Sequence, residues 1–385
     1  MATPVPSGPW QEPETDVRTA TTNGGRMRAE HAARQYGLGT VDAADALAPE
    51  GAYAYVAGRL ATGLVEVAHD PSVLDESGWW AVIGTFEGRW TLARFARVTL
   101  ADPPRTRRPW RALPVEAWTT SLAHDDYLAG VAAVRSLIAD GEVYQVNLCR
   151  VLSAGLSAEQ PLDGLADLLR ASNPAPHAAR VHLPGVGVDV VSASPERYLR
   201  RAGQRVSSSP IKGTGATPVD LTDKDVAENV MIVDLVRNDL GRVCATGSVV
   251  VEDALALEQH PGLVHLVSTV RGRLAEGAGW SDLLAATFPP GSVSGAPKSS
   301  ALRAIVDLES GERGPYCGAV GWVDADRSEG ELAVGIRTFW RDGGLLRFGT
   351  GAGITWGSDP EREWRETELK AARLLGLAAT DGSES

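Results

Sequence analysis

The sequence predicts an α+β fold built on a large, mostly antiparallel sheet. Segments with the residue pattern of strands and segments with helical periodicity are segregated along the chain more than they alternate, which is typical of α+β proteins. Short apolar runs separated by Gly- and Asp-containing turns indicate hairpins. No internal repeat is visible, so a solenoid or a propeller is not expected.

The composition is that of a folded protein that works away from nucleic acid and membranes. The 385 residues include 49 acidic and 37 basic ones, giving a formal net charge of −12, and 43% are apolar. An apolar fraction of this size allows a sizeable core. An acidic chain without a basic run is not expected to bind a phosphate backbone, and no apolar run is long enough to cross a membrane. Three cysteines, none in a CxxC pair, indicate a cytoplasmic protein without structural zinc.

Three segments are predicted along the chain. Residues 1–30 are rich in Pro, Thr, Gly and charge, which indicates a disordered tail without the apolar segment of a signal peptide. Residues 31–118 are predicted to form a short N-terminal subdomain that ends in a Pro- and Arg-rich linker. Residues 119–380 are predicted to form the main domain.

The helices and strands are assigned in chain order. Between about 31 and 102, short apolar runs predict a few antiparallel strands. A helix of about 14 residues follows Ala123 and ends at Gly141, because apolar residues recur on one of its faces. The further predictions are a strand at 143–152, strands at 180–194 and 198–208, a helix at 223–240, a strand at 248–253, a strand or short helix at 262–274, a Gly-rich loop at 289–299, a helix at 299–310, a hairpin-like stretch at 317–357 and a terminal helix from Pro360.

Two of the predicted helices each carry a pair of acids one turn apart. Asp225 and Glu228 lie in the helix at 223–240, and Glu363 and Glu366 lie in the terminal helix. If the two pairs face each other, they form an oxygen-rich site suited to Mg²⁺, which keeps several waters and accepts substrate oxygens as further ligands.

Both acid pairs also have an ordinary interpretation. Asp225 stands three residues after Thr222, the spacing of a capping box. Glu366 stands four residues from both Arg362 and Lys370, the spacing of surface ion pairs. Either pair alone therefore says little about function.

Lysine is scarce in this chain, and one lysine occupies a stiff loop. Only four of the 37 basic residues are lysine, and Lys212 lies between Pro210 and Gly213 in the segment SSSPIKGTGATP. A lysine held near an apolar wall can lose its proton and act as a nucleophile. The alternative is an ordinary loop lysine in solvent.

Three further residues are candidates for chemistry. Glu196 stands at the start of a strand, where it can serve as a general acid or pair with Arg197 or Arg200. Arg337, in the segment GIRTF, is a candidate partner for a substrate carboxylate. His265 is flanked by apolar residues, so its default interpretation is an ordinary core histidine.

Two Gly-rich segments resemble nucleotide loops only superficially. The segment GSVSGAPKS has Pro297 where a phosphate-binding loop requires glycine, which excludes nucleotide binding there. The segment GTGAG at 349–353 lacks the spacing of a dinucleotide fingerprint. Both segments can still offer backbone N–H groups to a carboxylate.

Seven segments in order resemble the chorismate-utilising enzymes. They are YQVNL, SPER, PIKGT, AENVMIVDLVRNDLGRV, HLVST, FPPGSVSGAPK and GAG…REWRET, and the resemblance runs from about residue 123 to 376. The family includes component I of anthranilate synthase and of aminodeoxychorismate synthase, isochorismate synthase and salicylate synthase. The resemblance implies two large, mostly antiparallel sheets in a sandwich flanked by helices, with chorismate and Mg²⁺ in a cleft between them. It makes residues 119–380 the chorismate-binding catalytic domain.

Two positions discriminate among the family members. Enzymes that add water to chorismate carry a lysine where this chain has Gln145, so isochorismate and salicylate formation are disfavoured. Anthranilate synthases have PIAGT where this chain has PIKGT with Lys212. The chain therefore resembles aminodeoxychorismate synthase component I, which makes 4-amino-4-deoxychorismate for p-aminobenzoate and folate. Anthranilate synthase component I and a non-catalytic chorismate-binding paralogue are the alternatives.

The resemblance implies a role for each matching residue. Lys212 would attack C2 of chorismate, Glu196 would act as the general acid, and His265 would assist near the departing hydroxyl. The implied Mg²⁺ ligands are Glu228 and Glu366, assisted by Glu363 and Asp225. The implied substrate-binding residues are Gly213, Thr214, Tyr316, Arg337, Gly351, Ala352 and Gly353.

The chain is also expected to need partners. No Cys–His–Glu glutaminase signature is present, so ammonia is expected from a separate glutamine amidotransferase subunit, and a separate lyase is expected to make p-aminobenzoate. The segment NPAPH at 173–177 matches one half of the tryptophan pocket of the relatives, whereas an LLES-like segment for the other half is not found. The sequence therefore leaves open whether a tryptophan pocket is retained.

Overall fold

The structure is a computed structural model that describes residues 47–106, 108–215, 217–260 and 263–382. The tail predicted at 1–30 and the first part of the predicted N-terminal subdomain lie outside the described residues. Among the helices that are described, none is both long and apolar enough to cross a bilayer.

Eighteen strands in the described part of the chain form one continuous hydrogen-bonded network. All pairings between these strands are antiparallel. In chain order, β1 to β18 are Tyr53–Val56, Arg59–Ala68, Trp79–Gly84, Trp90–Leu100, Thr119–Thr120, Gln145–Gly155, His177–Leu183, Val188–Ser194, Arg197–Ala202, Arg205–Ser209, Ile211–Gly215, Val250–His260, Leu263–Arg273, Gly295–Ala296, Ala319–Asp324, Glu329–Val334, Thr338–Asp342 and Leu345–Ile354.

Six α-helices flank the strands within the described ranges. In chain order, α1 to α6 are His124–Ala139, Asp163–Ser172, Asp223–Gly241, Trp280–Thr287, Lys298–Leu308 and Pro360–Ala378. The predicted capping box at Thr222 is present, and Asp359 caps α6, since both side chains accept backbone N–H groups at the starts of their helices. These caps fix where the two acid-bearing helices begin.

Long-range strand pairing joins the early and late parts of the chain. Strand β1 pairs with β7 and β3 pairs with β15, so the segment before residue 118 shares the sheet with the rest. Strand β6 pairs with β18 along ten residues, which sets Gly353 opposite Asn147. The predicted fold class, α+β with large antiparallel sheets flanked by helices, is confirmed.

The pairing of β6 with β18 gives this part of the sheet two different faces. Val146, Leu148, Ala352 and Ile354 belong to a core cluster that also contains apolar residues of α1 and α5. The alternate positions, Asn147, Gly351 and Gly353, line a cavity instead. Because successive side chains of a strand point to opposite faces, one strand pair builds both the core and the cavity wall.

Some local predictions need completion or correction. The segment at 262–274, left open between strand and helix, contains strand β13, which pairs with β10, β11 and β12. The helices α2 and α4 were not predicted. The predicted linker contains Trp110, which is 1% exposed and donates its indole N–H to the Ala378 carbonyl. The linker is therefore anchored to the end of α6 through this side chain.

Candidate active site

A cavity of about 700 Å³ opens between the sheet and the acid-bearing helices α3 and α6. Eleven of the fourteen predicted site residues line it, which brings together segments up to 170 residues apart. They are Glu196, Lys212, Gly213, Asp225, Glu228, His265, Tyr316, Arg337, Gly351, Gly353 and Glu366.

The remaining three predicted residues lie beside the cavity. The backbone of Thr214 pairs with that of His265 across β11 and β13. Ala352 is fully buried, and its side chain packs in the core cluster behind β18. Glu363 is 3% exposed on α6, and its carboxylate lies 3.4 Å from the Lys224 ammonium.

Lys212 is half-buried and its amine is held inside the cavity. Its Nζ donates to the Ser292 carbonyl at 3.0 Å, which ties β11 to the loop that follows α4. When protonated, the amine favours the ionised forms of the Glu196, Glu228 and Glu366 carboxyls, which opposes the effect of burial on each pKa. The amine therefore faces the clustered acids.

Glu196 is the buried acid next to Lys212. Its side chain is 5% exposed, and burial raises its pKa above the usual range even though Ser292 and Lys212 oppose the shift. A carboxyl that keeps its proton at higher pH is suited to act as a general acid.

The acids of α3 and α6 face each other across the cavity, with lysines between them. Lys224 Nζ lies 3.6 Å from Glu228 Oε1 and 3.4 Å from Glu363 Oε1, while Lys370 pairs with Glu366 at 2.6 Å. Burial raises the pKa of Glu228. Burial also disfavours ionisation of Glu366, but Lys370, together with Lys224 and Lys212, outweighs it, and the pKa of Glu366 is lowered.

Asp225 has the ordinary capping role as well as a place at the cavity. Its carboxylate accepts from the Thr222 backbone at 2.8 Å and from the Thr222 hydroxyl at 2.7 Å. The Asp225 side chain also leaves no room for a side chain at Gly213, because an added Cβ there would lie 2.8 Å from Asp225 Cβ. Gly213 has φ +79°, a conformation that favours glycine.

The residues present fit a divalent cation of the Mg²⁺ type. Within the described ranges no three acidic, His or Cys side chains are already gathered closely enough to hold a metal. However, Glu363 Oε2 is buried without a hydrogen-bond partner, and the neighbouring groups Glu228 and Glu366 supply only carboxylate oxygens. One or two carboxylates plus substrate oxygens and water are the usual Mg²⁺ shell.

The cavity also contains a region of unneutralised positive charge. In the part of the chain that the structure describes, no acceptor lies within hydrogen-bond distance of the Arg337 guanidinium, and Arg373 lines the same cavity. Burial lowers the pKa of Arg337, and the neighbouring charge of Arg373 adds to the effect. Arg337 and Arg373 are thus neighbouring guanidinium groups, and among the described residues Arg337 has no carboxylate partner. Such a pair suits a bound anion.

Below the cavity floor lies a buried ion pair that sequence reasoning missed. Arg313 is 1% exposed and donates to Glu309 at 2.6 and 2.8 Å, to the Val293 carbonyl at 2.9 Å and to the Asn147 carbonyl at 2.6 Å. It thus joins α5, β6 and the loop whose Ser292 carbonyl holds Lys212. The local sequence gives no signal for this burial, since an Arg and a Glu four residues apart usually form a surface pair.

We expect Arg313→Met to destabilise the fold by roughly 3–5 kcal/mol, because it leaves Glu309 buried and unpaired. Urea unfolding followed by circular dichroism measures the change. Arg89→Met is the matched control, because Arg89 also pairs with a glutamate, Glu312, but both side chains are more than half exposed. Its cost should be about 1 kcal/mol or less. Equal losses of unfolding free energy in the two variants would contradict the assignment of Arg313 and Glu309 as a buried ion pair.

Comparison with solved structures identifies the class of fold. Anthranilate synthase component I from Streptococcus pneumoniae superposes with a TM-score of 0.72 at 22% identity, over 96% of this chain and 100% of that one. The fold is therefore that of the chorismate-utilising synthases.

The sequence profile of the chorismate binding enzymes matches residues 87–376, and the chain belongs to this family. It is 38% identical over 292 residues to anthranilate synthase component 1 1 of Haloarcula marismortui, covering 73% of this chain and 59% of the relative. It is 42% identical over 270 residues to aminodeoxychorismate synthase of Streptomyces griseus, covering 66% of this chain and 36% of the relative. The chain thus spans about a third to three fifths of these relatives.

Proposed function

We propose that the chain is a Mg²⁺-dependent aminodeoxychorismate synthase component I, which converts chorismate and ammonia to 4-amino-4-deoxychorismate. The position of Lys212 carries this proposal, because its amine lies in the acid-lined cavity and is oriented by the Ser292 carbonyl. The names of similar proteins include both anthranilate synthase and aminodeoxychorismate synthase. The choice between the two therefore rests on this lysine.

Substrate binding would use both charged regions of the cavity. Arg337 would pair with the enolpyruvyl carboxylate, with the Tyr316 hydroxyl beside it. Glu228 and Glu366, with Glu363 and Asp225 nearby, would hold Mg²⁺, which when bound neutralises the ring carboxylate of chorismate. Backbone N–H groups at Gly213, Thr214 and the 351–353 segment would orient that carboxylate.

The reaction would proceed by double displacement. The neutral Lys212 amine forms a bond to C2, the two ring double bonds shift, and the C4–O bond breaks. Glu196 gives its proton to the departing hydroxyl, which leaves as water, and His265 lies on the same cavity wall. Ammonia then bonds to C4, the double bonds shift back, and the Lys212 amine leaves C2. The new C4 nitrogen then carries one surplus proton, which passes to the ionised Glu196 and restores the acid.

Gln145 supports ammonia as the incoming nucleophile. Its side chain is 2% exposed and lies against Gly353, close to Glu228. Its amide oxygen is buried, and no donor in the described part of the chain reaches it. An unpaired acceptor suits an N–H donor such as ammonia, whereas a neutral amide is a poor base for activating water.

The proposal includes a glutamine amidotransferase that supplies the ammonia and a lyase that completes p-aminobenzoate. It also places the chain in the cytoplasm, because Cys149, Cys244 and Cys317 are all free and buried.

Product identification tests the proposed function. The protein is incubated with chorismate, Mg²⁺ and ammonium salt, and the products are separated by chromatography. We expect 4-amino-4-deoxychorismate. Anthranilate as the sole product would instead indicate anthranilate synthase component I. If chorismate binds but is not consumed, even with glutamine and an amidotransferase, the chain is a non-catalytic paralogue.

The raised pKa of Glu196 predicts the pH dependence of turnover. Glu196 must be protonated to act as the acid, so turnover should fall as the pH rises through that raised pKa. Glu196→Gln cannot donate the proton, so kcat should drop about 10²–10⁴-fold and the alkaline limb should disappear. The pH profile of kcat is measured at a constant concentration of unprotonated ammonia. An unchanged limb in the Gln variant would exclude Glu196 as the acid.

A further inference from the structure

We propose that Lys224 is an internal counter-ion that occupies the acid site in the absence of metal and must be displaced when a divalent cation binds. This inference rests on the proposed Mg²⁺ site, and it assigns to Lys224 control of the affinity for that cation.

The geometry places the Lys224 ammonium where a cation between the two helices would lie. Its Nζ is 3.4 Å from Glu363 on α6 and 3.6 Å from Glu228 on α3, so it bridges the two acid pairs. The second oxygen of Glu363 is buried and has no partner among the described residues. One ammonium therefore satisfies this carboxylate only in part, and a divalent ion can satisfy it further.

Lys224 is also the lysine that can leave most easily. Its side chain is 48% exposed, and its flexible four-carbon stem can swing into solvent. Lys370 is similarly exposed, at 52%, but its contacts are shorter, 2.6 Å to Glu366 and 3.0 Å to the Gly351 carbonyl. The contacts of Lys224 are 3.4 and 3.6 Å long. Lys370 therefore stays paired with Glu366 and the Gly351 carbonyl when Lys224 is displaced.

The charge balance gives Lys224 two opposite effects. Without metal, its ammonium neutralises Glu363 and Glu228, which would otherwise repel each other and Glu366. With metal, the same ammonium is a like charge that must be moved away before Mg²⁺ binds. Removal of the charge should therefore lower the stability of the metal-free protein and raise the affinity for Mg²⁺.

The experiment is calorimetric titration of the full chain with MgCl₂, without substrate. We expect the Kd for Mg²⁺ to fall about tenfold in Lys224→Met, because no ammonium has to be displaced. Lys224→Arg keeps the charge and should bind Mg²⁺ no more tightly than the unmodified protein. Arg237→Met is the matched control, since Arg237 lies on the same helix in an exposed pair with Asp234, and its Kd should be unchanged.

A second readout follows from the same charge balance. In EDTA, Lys224→Met should melt at a lower temperature than the unmodified protein, and Mg²⁺ should raise the Tm of the variant by the larger amount. Equal Kd values and equal Mg²⁺-induced shifts for the Met variant and the unmodified protein would overturn the inference.

The test separates this inference from the proposed function. Normal chorismate amination with the same Mg²⁺ affinity in both proteins would refute the role of Lys224 alone. Tighter Mg²⁺ binding in the variant, together with no aminodeoxychorismate from the unmodified protein, would refute the reaction alone. If neither protein binds Mg²⁺, both the metal site and the counter-ion role are refuted.

Discussion

Lys212→Ala should lose amination of chorismate at C4 by roughly 10³-fold or more, because it removes the proposed nucleophile and leaves the rest of the site in place. The Ser292 carbonyl, Glu196 and the acids of α3 and α6 remain in the variant. Ammonia can then attack C2 directly, so the residual product should include anthranilate. The measurement is product chromatography with Mg²⁺ and a low concentration of ammonia.

The control for this variant is Lys298→Ala. Lys298 is likewise withdrawn from solvent, with a side chain that is 16% exposed, but it pairs with Asp239 and the Thr287 carbonyl and does not line the cavity. Its loss should affect stability far more than the ratio of products. Aminodeoxychorismate formation by Lys212→Ala at the unmodified rate would refute the covalent role.

Glu228→Gln and Glu366→Gln should each abolish Mg²⁺-dependent turnover. These two acids line the cavity from opposite helices, and a neutral amide oxygen is a much weaker ligand for a hard divalent cation than a carboxylate. The fall in kcat/KM should be of the order of 10²-fold or more at millimolar Mg²⁺. A titration of the rate with MgCl₂ measures the change.

Asp234→Asn is the matched control for the two carboxylate variants. Asp234 lies on the same helix as Glu228, but its side chain is 78% exposed and pairs with Arg237. Its Mg²⁺ dependence should match that of the unmodified protein. Normal turnover in both Gln variants would remove the metal assignment.

Much of the site was predictable because its chemistry is carried by contiguous segments. The spacing of Thr222 and Asp225 predicted the capping box that the structure contains. The loop around Lys212 left open whether its amine is held or solvated, and the family resemblance implied a nucleophile; in the structure the amine donates to the Ser292 carbonyl. Local spacing and turn chemistry are readable from sequence, because they depend on neighbouring residues alone.

The missed features depend on contacts between distant segments. The contact of Lys224 with Glu228 is an i, i+4 pair within α3, but its contact with Glu363 exists only because α3 and α6 meet across the cavity. No local pattern around Lys224 predicts that second contact. The burial of Arg313 likewise depends on the approach of β6 and the 291–294 loop. Trp110 was assigned to a linker because its neighbours are Pro and Arg, yet it packs against the end of α6.

The short helices were missed for a related reason. Helix α4 has only eight residues, and its buried positions, which include Trp280, Leu283, Leu284 and Thr287, cover just two turns, which is shorter than the window over which a helical period is recognised. The open choice between strand and helix at 262–274 was decided by pairing, since β13 is hydrogen-bonded on both sides. A short apolar run does not determine its own conformation.

The most direct test of the account is mass spectrometry of the full chain after incubation with chorismate and Mg²⁺ in the absence of ammonia. Without its second nucleophile the reaction should stop at the lysine, so we expect an adduct with the mass of chorismate less one water, on the peptide that contains Lys212. The adduct should disappear when ammonia is added. An unmodified Lys212 peptide under conditions in which ammonia yields 4-amino-4-deoxychorismate would contradict the covalent mechanism.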